Sequence, residues 1–238
     1  MKKFLILTAV LLVILAGLLE IVLPLNVTNL LKEKVLSATA AQAVELSLSS
    51  SPNARIALGE IDKLHCTATD GKIGELFIKE MTLDGEKIKL DVPEILFPDK
   101  EISSQEHFNK ILISADKLEL NGIVNEENLK EFLMSKADKI DNLELKISPE
   151  EVSATGQVKI IGRTADVELA GVIIADEGDL YFRMTRLNVR NAILRHVQLD
   201  RFLGDIKIIE RDKLPMGLTF HSVELREGEA LLSAARAK

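Results

Sequence analysis

The sequence predicts an α+β protein built mainly of antiparallel strands and preceded by a hydrophobic N-terminal helix. Three observations carry this prediction: a long apolar run at the N-terminus, alternating apolar and polar residues through most of the remaining chain, and short polar turns between the alternating segments. Only a few segments show the spacing of an amphipathic helix. Because short turns pair each strand with its neighbour in the chain, the sheet should be mostly antiparallel.

The first 25 residues have the features of an export segment. Two lysines precede an apolar run over residues 4–25, in which Glu20 is the only charge. Left uncleaved, this run is long enough to cross a bilayer, and the lysines keep its N-terminus in the cytoplasm. Residues 1–25 are therefore predicted to be a signal peptide or an N-terminal membrane anchor. Both alternatives place residues 26–238, as one domain, in the cell envelope outside the cytoplasmic membrane.

The exported part begins with a helix and then changes to strands. Residues 26–42 have helical spacing, whereas residues 44–49 and 64–69 alternate with a period of two. Residues 81–92 are predicted to be a hairpin, because Asp84-Gly85 can adopt the positive φ angles that a tight turn requires.

A second helix is predicted in the middle of the chain. A polar loop over residues 98–107 leads to a strand at 116–124. Asn125 can then cap a helix whose first turn is acidic, as the positive end of the helix dipole favours. The apolar face of this helix contains Leu129, Phe132, Leu133 and Ala137.

The rest of the chain again reads mostly as strands separated by polar turns. The predicted strands are 143–147, 152–161, 165–175, 180–189, 206–209, 218–225 and 230–234, and one further helix is predicted over 191–203.

Composition and motifs exclude several functional classes. With a net charge of −7, the chain is too acidic for a general nucleic-acid-binding protein. A single cysteine rules out an internal disulfide and any multi-cysteine metal site, and the four histidines lack metal-ligand spacing. The sequence contains no hydrolase, phosphate-binding or dinucleotide-binding motif. We therefore predict no enzymatic activity and no cofactor.

His65 and Cys66 are adjacent, which raises the possibility of a nucleophile beside its base. Adjacent residues of a strand point to opposite faces, however, so the two side chains cannot readily share a proton. Cys66 also follows the apolar positions of Leu64 and Ala68. We predict a buried structural thiol.

Some strand segments are apolar on both faces. Residues 167–175 carry one charge, Glu168, and Tyr181 stands beside the apolar positions of residues 180–184. A strand of this kind needs cover on both faces. Either a packed helix supplies that cover, or one face borders an apolar groove that accepts a lipid. The candidate groove residues are Leu129, Phe132, Leu133, Leu169, Ile173 and Phe182.

Arginine is concentrated in one stretch of this acidic chain. Five arginines lie within residues 183–201, against one acid, Asp200. The guanidinium group is a planar fork of donors that suits phosphate. The cluster either forms solvated surfaces paired with carboxylates or contacts the headgroups of anionic phospholipids. The candidate headgroup residues are Arg183, Arg186, Arg190 and Arg195.

Several segments together carry a resemblance to a known family. They are L-E-L-N-G-I-V-N-E-E-N-L-K-E-F-L (118–133), L-E-L-K-I (143–147), V-S-A-T-G-Q-V-K-I-I-G (152–162), V-E-L-A-G-V-I-I-A-D-E-G-D-L-Y-F (167–182) and L-P-M-G-L-T-F-H-S-V-E-L-R-E-G (214–228), and A-L-G-E-I-D-K-L (57–64) also fits. In these sequence patterns the chain resembles the LmeA-like phospholipid-binding family. The resemblance implies an exported or anchored envelope protein of the tubular lipid-binding type, in which a curved antiparallel sheet wraps a long helix around an apolar cavity. It supplies no catalytic residues.

We therefore expect a cell-envelope protein, periplasmic or otherwise extracytoplasmic and anchored by residues 4–25, that binds phospholipid non-covalently in an apolar groove. Its partners would be phospholipid and the membrane, and its role would be lipid transfer or envelope maintenance. The alternative is an anchored envelope scaffold or protein-interaction domain that carries no lipid.

Overall fold

The protein is mostly antiparallel sheet with a few short helices, as the α+β prediction states. The computed structural model describes residues 25, 27–96, 110–136, 140–160, 163–190 and 205–236, with backbone alone for residues 96, 158–160, 163 and 190. Most of the predicted N-terminal hydrophobic segment, the loop over 98–107 and the helix over 191–203 lie outside these residues. Among the helices that are described, none is long and apolar enough to span a membrane.

The described residues contain twelve strands and three α-helices, and residues 110–111 are also helical. The strands are β1 (Ala43–Ser49), β2 (Glu60–Ile73), β3 (Leu76–Leu90), β4 (Leu112–Ser114), β5 (Lys117–Asn125), β6 (Ile140–Ile147), β7 (Val152–Ile160), β8 (Arg163–Asp176), β9 (Asp179–Arg190), β10 (Asp205–Ile209), β11 (Leu218–Arg226) and β12 (Glu229–Arg236). The helices are α1 (27–39), α2 (Val92–Leu96) and α3 (Glu126–Lys136). Short 3₁₀ helices occupy Asn53–Leu58, Arg211–Lys213 and Pro215–Gly217.

The strands form two sheets. The first has the order β1-β2-β3-β5-β12-β11, with β4 beside β3, and the second has the order β10-β9-β8-β7-β6. Neighbouring strands of the second sheet are antiparallel throughout. This follows from the sequence, because only a few residues connect β6 to β7, β7 to β8 and β8 to β9.

The chain divides into two compact units. The first contains Met1–Ala68 and Thr82–Glu119, and the second contains Thr69–Met81 and Leu120–Lys238. Buried aliphatic side chains fill the first unit, among them Val44, Ile56, Ile61, Leu64 and Ile111. The second unit holds α3, the second sheet and the β11–β12 hairpin, and its core includes Leu129, Ile147, Phe182, Leu218 and Phe220.

The hairpin predicted at Asp84-Gly85 is wrong. β3 runs without a break from Leu76 to Leu90, and the chain turns earlier, at Gly74-Glu75, where Gly74 has a φ of +60°. Gly85 serves packing instead, because a Cβ atom at this position would overlap the Cδ1 atom of Ile88. Here a glycine marks the close approach of a side chain and not a turn.

Candidate functional site

One face of the second sheet is apolar over most of the length of β8 and β9. Ile173 lies opposite Phe182, Leu169 opposite Leu187, and Val167 opposite Val189. Residues that lie opposite each other in an antiparallel pair share a face, as do alternate residues along β8. All three pairs therefore lie on the same side of the sheet, which also carries the predicted groove residues Leu169, Ile173 and Phe182.

Burial changes along this face. Near the β8–β9 turn, Ile173 is 5% and Phe182 is 1% exposed. Further along the two strands, four apolar side chains on this face are only half-buried, although Ala165 beyond them is 4% exposed. We call these half-buried residues the apolar strip; they are Val167, Leu169, Leu187 and Val189. The strip is a surface without charge on which an aliphatic ligand could lie.

A β-bulge in β9 places Arg183 on the same face of the sheet as Arg186. The register shifts between Ala170 and Gly171, so that Arg186 lies opposite Ala170, whereas Arg183 lies opposite Val172. Ala170 and Val172 alternate with Leu169 and Ile173, so both arginines lie on the face opposite to the apolar strip. The predicted headgroup and groove residues of these two strands are therefore on different sides of the second sheet.

Both of these arginines are paired with acids. Arg183 makes a two-pronged contact with Asp205, with distances of 2.9 Å from Nε to Oδ1 and 2.7 Å from Nη2 to Oδ2. This hydrogen bonding lowers the pKa of Asp205. Arg186 donates from Nη2 to Glu151 Oε1 at 2.9 Å. Of the other two candidates, Arg190 is described by its backbone alone and Arg195 lies outside the described residues.

The helical groove candidates are buried in protein. Asn125 caps α3 as predicted, because its Oδ1 atom accepts a hydrogen bond from the Asn128 N–H at 2.9 Å. The helix lies against β6, and its Glu126 carboxylate accepts a hydrogen bond from the Ile147 N–H at 2.9 Å. Leu129, Phe132 and Leu133 are 0%, 2% and 8% exposed. These side chains leave little free surface for a ligand in the conformation described.

Two open depressions in the second unit are lined mostly by polar and charged residues. The larger, of about 570 Å³, lies beside the start of α3, and the smaller, of about 360 Å³, lies over β6, β7 and β8. Charged residues line the larger one, namely Glu126, Glu127, Lys130, Glu144 and Lys146. Few apolar side chains line either depression, Val167 in the smaller and Leu145 and Ala154 in the larger, so neither resembles the mainly apolar pocket that acyl chains favour.

Arg236 was not singled out from the sequence. It ends β12, where Ala230, Leu232 and Ala234 alternate as buried residues, and this alternation places Arg236 on the buried face. Its Nη1 atom is buried and has no hydrogen-bond partner. Extending the predicted strand by two residues would have revealed a cation at an apolar position.

The thiol of Cys66 is buried, as predicted. Cys66 is 4% exposed and its burial raises its pKa to about 11, whereas His65 is exposed and contacts Asp84. Within the described ranges, no group of three or more His, Cys, Asp or Glu side chains is arranged to hold a metal ion.

The sequence profile of the LmeA-like phospholipid-binding family matches residues 19–235, nearly the whole chain. The resemblance noted in the sequence is thereby confirmed. No curated protein and no solved structure gives a significant match.

Proposed function

The chain belongs to the LmeA-like phospholipid-binding family, and we propose that it binds phospholipid non-covalently, with the acyl chains against the apolar face of the second sheet. The family is described by the ligand it binds and not by a reaction. We accordingly propose a binding role without catalysis.

The apolar strip is the observation that supports this proposal. Val167, Leu169, Leu187 and Val189 are adjacent on one face and only half-buried, although nothing polar separates them. Covering such a surface with acyl chain releases water, at about 0.8 kcal/mol for each CH₂ group buried. A lipid therefore gains affinity here without any specific polar contact.

The finer features of the proposal come from the family resemblance and the sequence. The curved sheet and a helix would together enclose the acyl chains. The deeper part of the groove would be lined by the buried candidates Leu129, Phe132, Leu133, Ile173 and Phe182. These five side chains are at most 8% exposed, so the core must loosen around them when a lipid enters. We also propose an envelope location, anchoring by residues 4–25, and a role in lipid transfer.

Native mass spectrometry of the full-length chain tests the binding. The chain is purified in dodecyl maltoside and mixed with palmitoyl-oleoyl-phosphatidylglycerol. We expect one phospholipid per chain. A spectrum of lipid-free protein at saturating phospholipid would overturn the proposal and favour a scaffold that carries no lipid.

Two matched variants locate the site on the sheet. Leu187→Asn alters the apolar strip, whereas Val172→Asn makes a similar change at a half-buried position on the opposite face. We expect Leu187→Asn to weaken phospholipid binding by about five- to thirty-fold, the loss that corresponds to roughly 1–2 kcal/mol of apolar contact. Val172→Asn should bind as the unmodified chain does. Equal losses in both variants would mean that stability, and not the strip, controls binding.

A further inference from the structure

Arg236 differs from the other arginines whose side chains are described. Arg55, Arg183, Arg186 and Arg226 each contact a carboxylate, and Arg211 donates to the Glu177 carbonyl oxygen. The side chain of Arg236 makes no hydrogen bond or ion pair with any described residue, and its Nη1 atom is also shielded from solvent. A buried guanidinium nitrogen without a partner is unfavourable, so such groups are rare in folded proteins.

The surroundings of Arg236 are apolar. Its partner across the β11–β12 hairpin is Leu218, which is 1% exposed, and the next residues on the same face, Phe220 and Ala234, are 4% and 1% exposed. Arg236 itself is half-buried, but its Nη1 atom is shielded from solvent, so an anion bound there would meet the cation where water competes less with their attraction. The guanidinium group presents a planar set of donors that matches the oxygens of a phosphate.

The position also suits a lipid that lies along the second sheet. The Phe220 N–H donates to the Gly178 carbonyl oxygen at 3.1 Å, so the start of β11 adjoins the β8–β9 turn. From Ala175, just before that turn, to Leu169 in the apolar strip is six residues of strand, or about 20 Å. This is about the length of a phospholipid in one bilayer leaflet, and the groove candidates Ile173 and Phe182 lie in between.

We propose that Arg236 binds the phosphate group of the bound phospholipid at the turn end of the second sheet, with the acyl chains directed towards the apolar strip. This proposal rests on the proposed function and assigns its polar contact to a residue outside the arginine cluster of residues 183–201. The phosphate would supply the partner that Nη1 lacks.

The test compares two lipids with the same acyl chains. The full-length chain in dodecyl maltoside is titrated with palmitoyl-oleoyl-phosphatidylglycerol and with palmitoyl-oleoyl-glycerol, which has no phosphate. We expect Arg236→Gln to weaken binding of the phospholipid at least about ten-fold, the loss of one charge-assisted hydrogen bond, and to leave binding of the glyceride unchanged. Arg236→Lys should lose less affinity for the phospholipid, because lysine keeps the positive charge but not the planar set of donors. Arg226→Gln is the control, since Arg226 is exposed and pairs with Glu224 on the same hairpin.

Each contrary result identifies a different failure. If the unmodified chain binds neither lipid, the proposed function fails. If it binds both and Arg236→Gln binds phospholipid equally well, only the assignment of Arg236 fails. Equal weakening for both lipids would indicate a structural role for Arg236 and would also overturn the assignment. Inorganic phosphate tests whether the anion is free phosphate and not a lipid headgroup. If it stabilises the unmodified chain as much as phospholipid does, and does not stabilise Arg236→Gln, the site binds free phosphate and the assignment to a lipid fails.

Discussion

Asp179 connects three neighbouring elements of the second unit. Its carboxylate accepts hydrogen bonds from the Arg211 N–H at 2.8 Å, from Lys207 Nζ at 2.9 Å and from the Tyr181 hydroxyl at 3.0 Å. These groups lie on a 3₁₀ turn, on β10 and on β9. With its side chain 13% exposed, Asp179 holds these contacts where water competes little.

We expect Asp179→Asn to lower the free energy of unfolding by about 1–2 kcal/mol at pH 7. Burial alone would raise the pKa of Asp179, but the hydrogen bonds from Arg211, Lys207 and Tyr181 outweigh it and hold the pKa below its ordinary value. A lowered pKa means that the carboxylate stabilises the fold above the pKa of the unfolded chain, about 4, and loses this effect as the pH falls further. The difference between the two proteins should therefore shrink below about pH 4, as urea unfolding at several pH values would show.

Asp176→Asn is the matched control for this prediction. Asp176 stands at the other side of the same turn, is 56% exposed and contacts Arg183 only at 3.8 Å. Exposed pairs of this kind contribute little, so its loss should leave the unfolding curve nearly unchanged. A destabilisation of Asp179→Asn that stays constant down to pH 2 would contradict the role of the carboxylate charge.

Single residues were predictable from the sequence where their neighbours along the chain decide their surroundings. Alternation with Leu64 and Ala68 was enough to predict that Cys66 is buried. Asn125 could be predicted as a cap because the helix directly follows it in the chain. The partners of Arg183 and Arg186 could not be predicted in this way. Asp205 lies 22 residues from Arg183, and Glu151 lies 35 residues from Arg186, so the fold alone brings these pairs together.

Among the elements, the β8–β9 pair depends on one glycine next to its bulge. A Cβ atom at Gly171 would overlap the Arg183 carbonyl oxygen and come within 2.6 Å of Phe182 Cζ. The obstacle includes backbone, which cannot rotate away as a flexible side chain can. We expect Gly171→Ala to destabilise the fold by about 1–3 kcal/mol, the usual cost of overpacking, in urea unfolding experiments.

Gly122→Ala provides the comparison. Gly122 is also a buried strand glycine, but a Cβ atom there would stand 3.4 Å from Ile78 Cγ2, which is an ordinary contact. The free energy of unfolding of this variant should be close to that of the unmodified chain. If both substitutions lower the free energy of unfolding equally, the loss of the glycine itself would be the cause of the destabilisation, and not the crowding at the bulge.

The contrast among glycines also explains which elements the sequence predicted well. The turns that precede β9 and β12 were correctly located, because Gly178 and Gly228 stand between alternating runs and adopt φ angles of +88° and +78°. Asp84-Gly85 offered the same local signal inside a long strand. The bulge leaves Thr185 of β9 unpaired between the partners of Ala170 and Gly171. It places Arg183 on the face opposite to the apolar strip, depends on the pairing of β9 with β8 and has no signature within β8.

At the scale of the whole molecule, charge opposes the proposed encounter with an anionic membrane. The net charge is −7, so a surface of acidic lipids repels the chain as a whole, and local basic residues must offset this repulsion. The arginine cluster is the part of the sequence suited to that task, although Arg186 also pairs with Glu151. The cluster would attract the membrane by long-range electrostatics, which is separate from the direct phosphate contact proposed for Arg236.

We expect the double substitution Arg186→Glu and Arg190→Glu to reduce binding of vesicles that contain phosphatidylglycerol to the immobilised full-length chain. The reduction should be several-fold in 50 mM salt and should largely disappear in 500 mM salt, because screening shortens the range of the charges. Vesicles of phosphatidylcholine alone measure the background that all variants share.

A second double substitution separates local charge from total charge. Lys79→Glu with Arg226→Glu changes the net charge by the same amount, at exposed positions on β3 and β11. If the cluster guides the encounter, this pair should bind anionic vesicles nearly as well as the unmodified chain does. Equal losses in the two doubles would assign the effect to the overall charge. No loss in either would remove the arginine cluster from the encounter and leave Arg236, with its shielded Nη1 atom, to carry the recognition of phosphate.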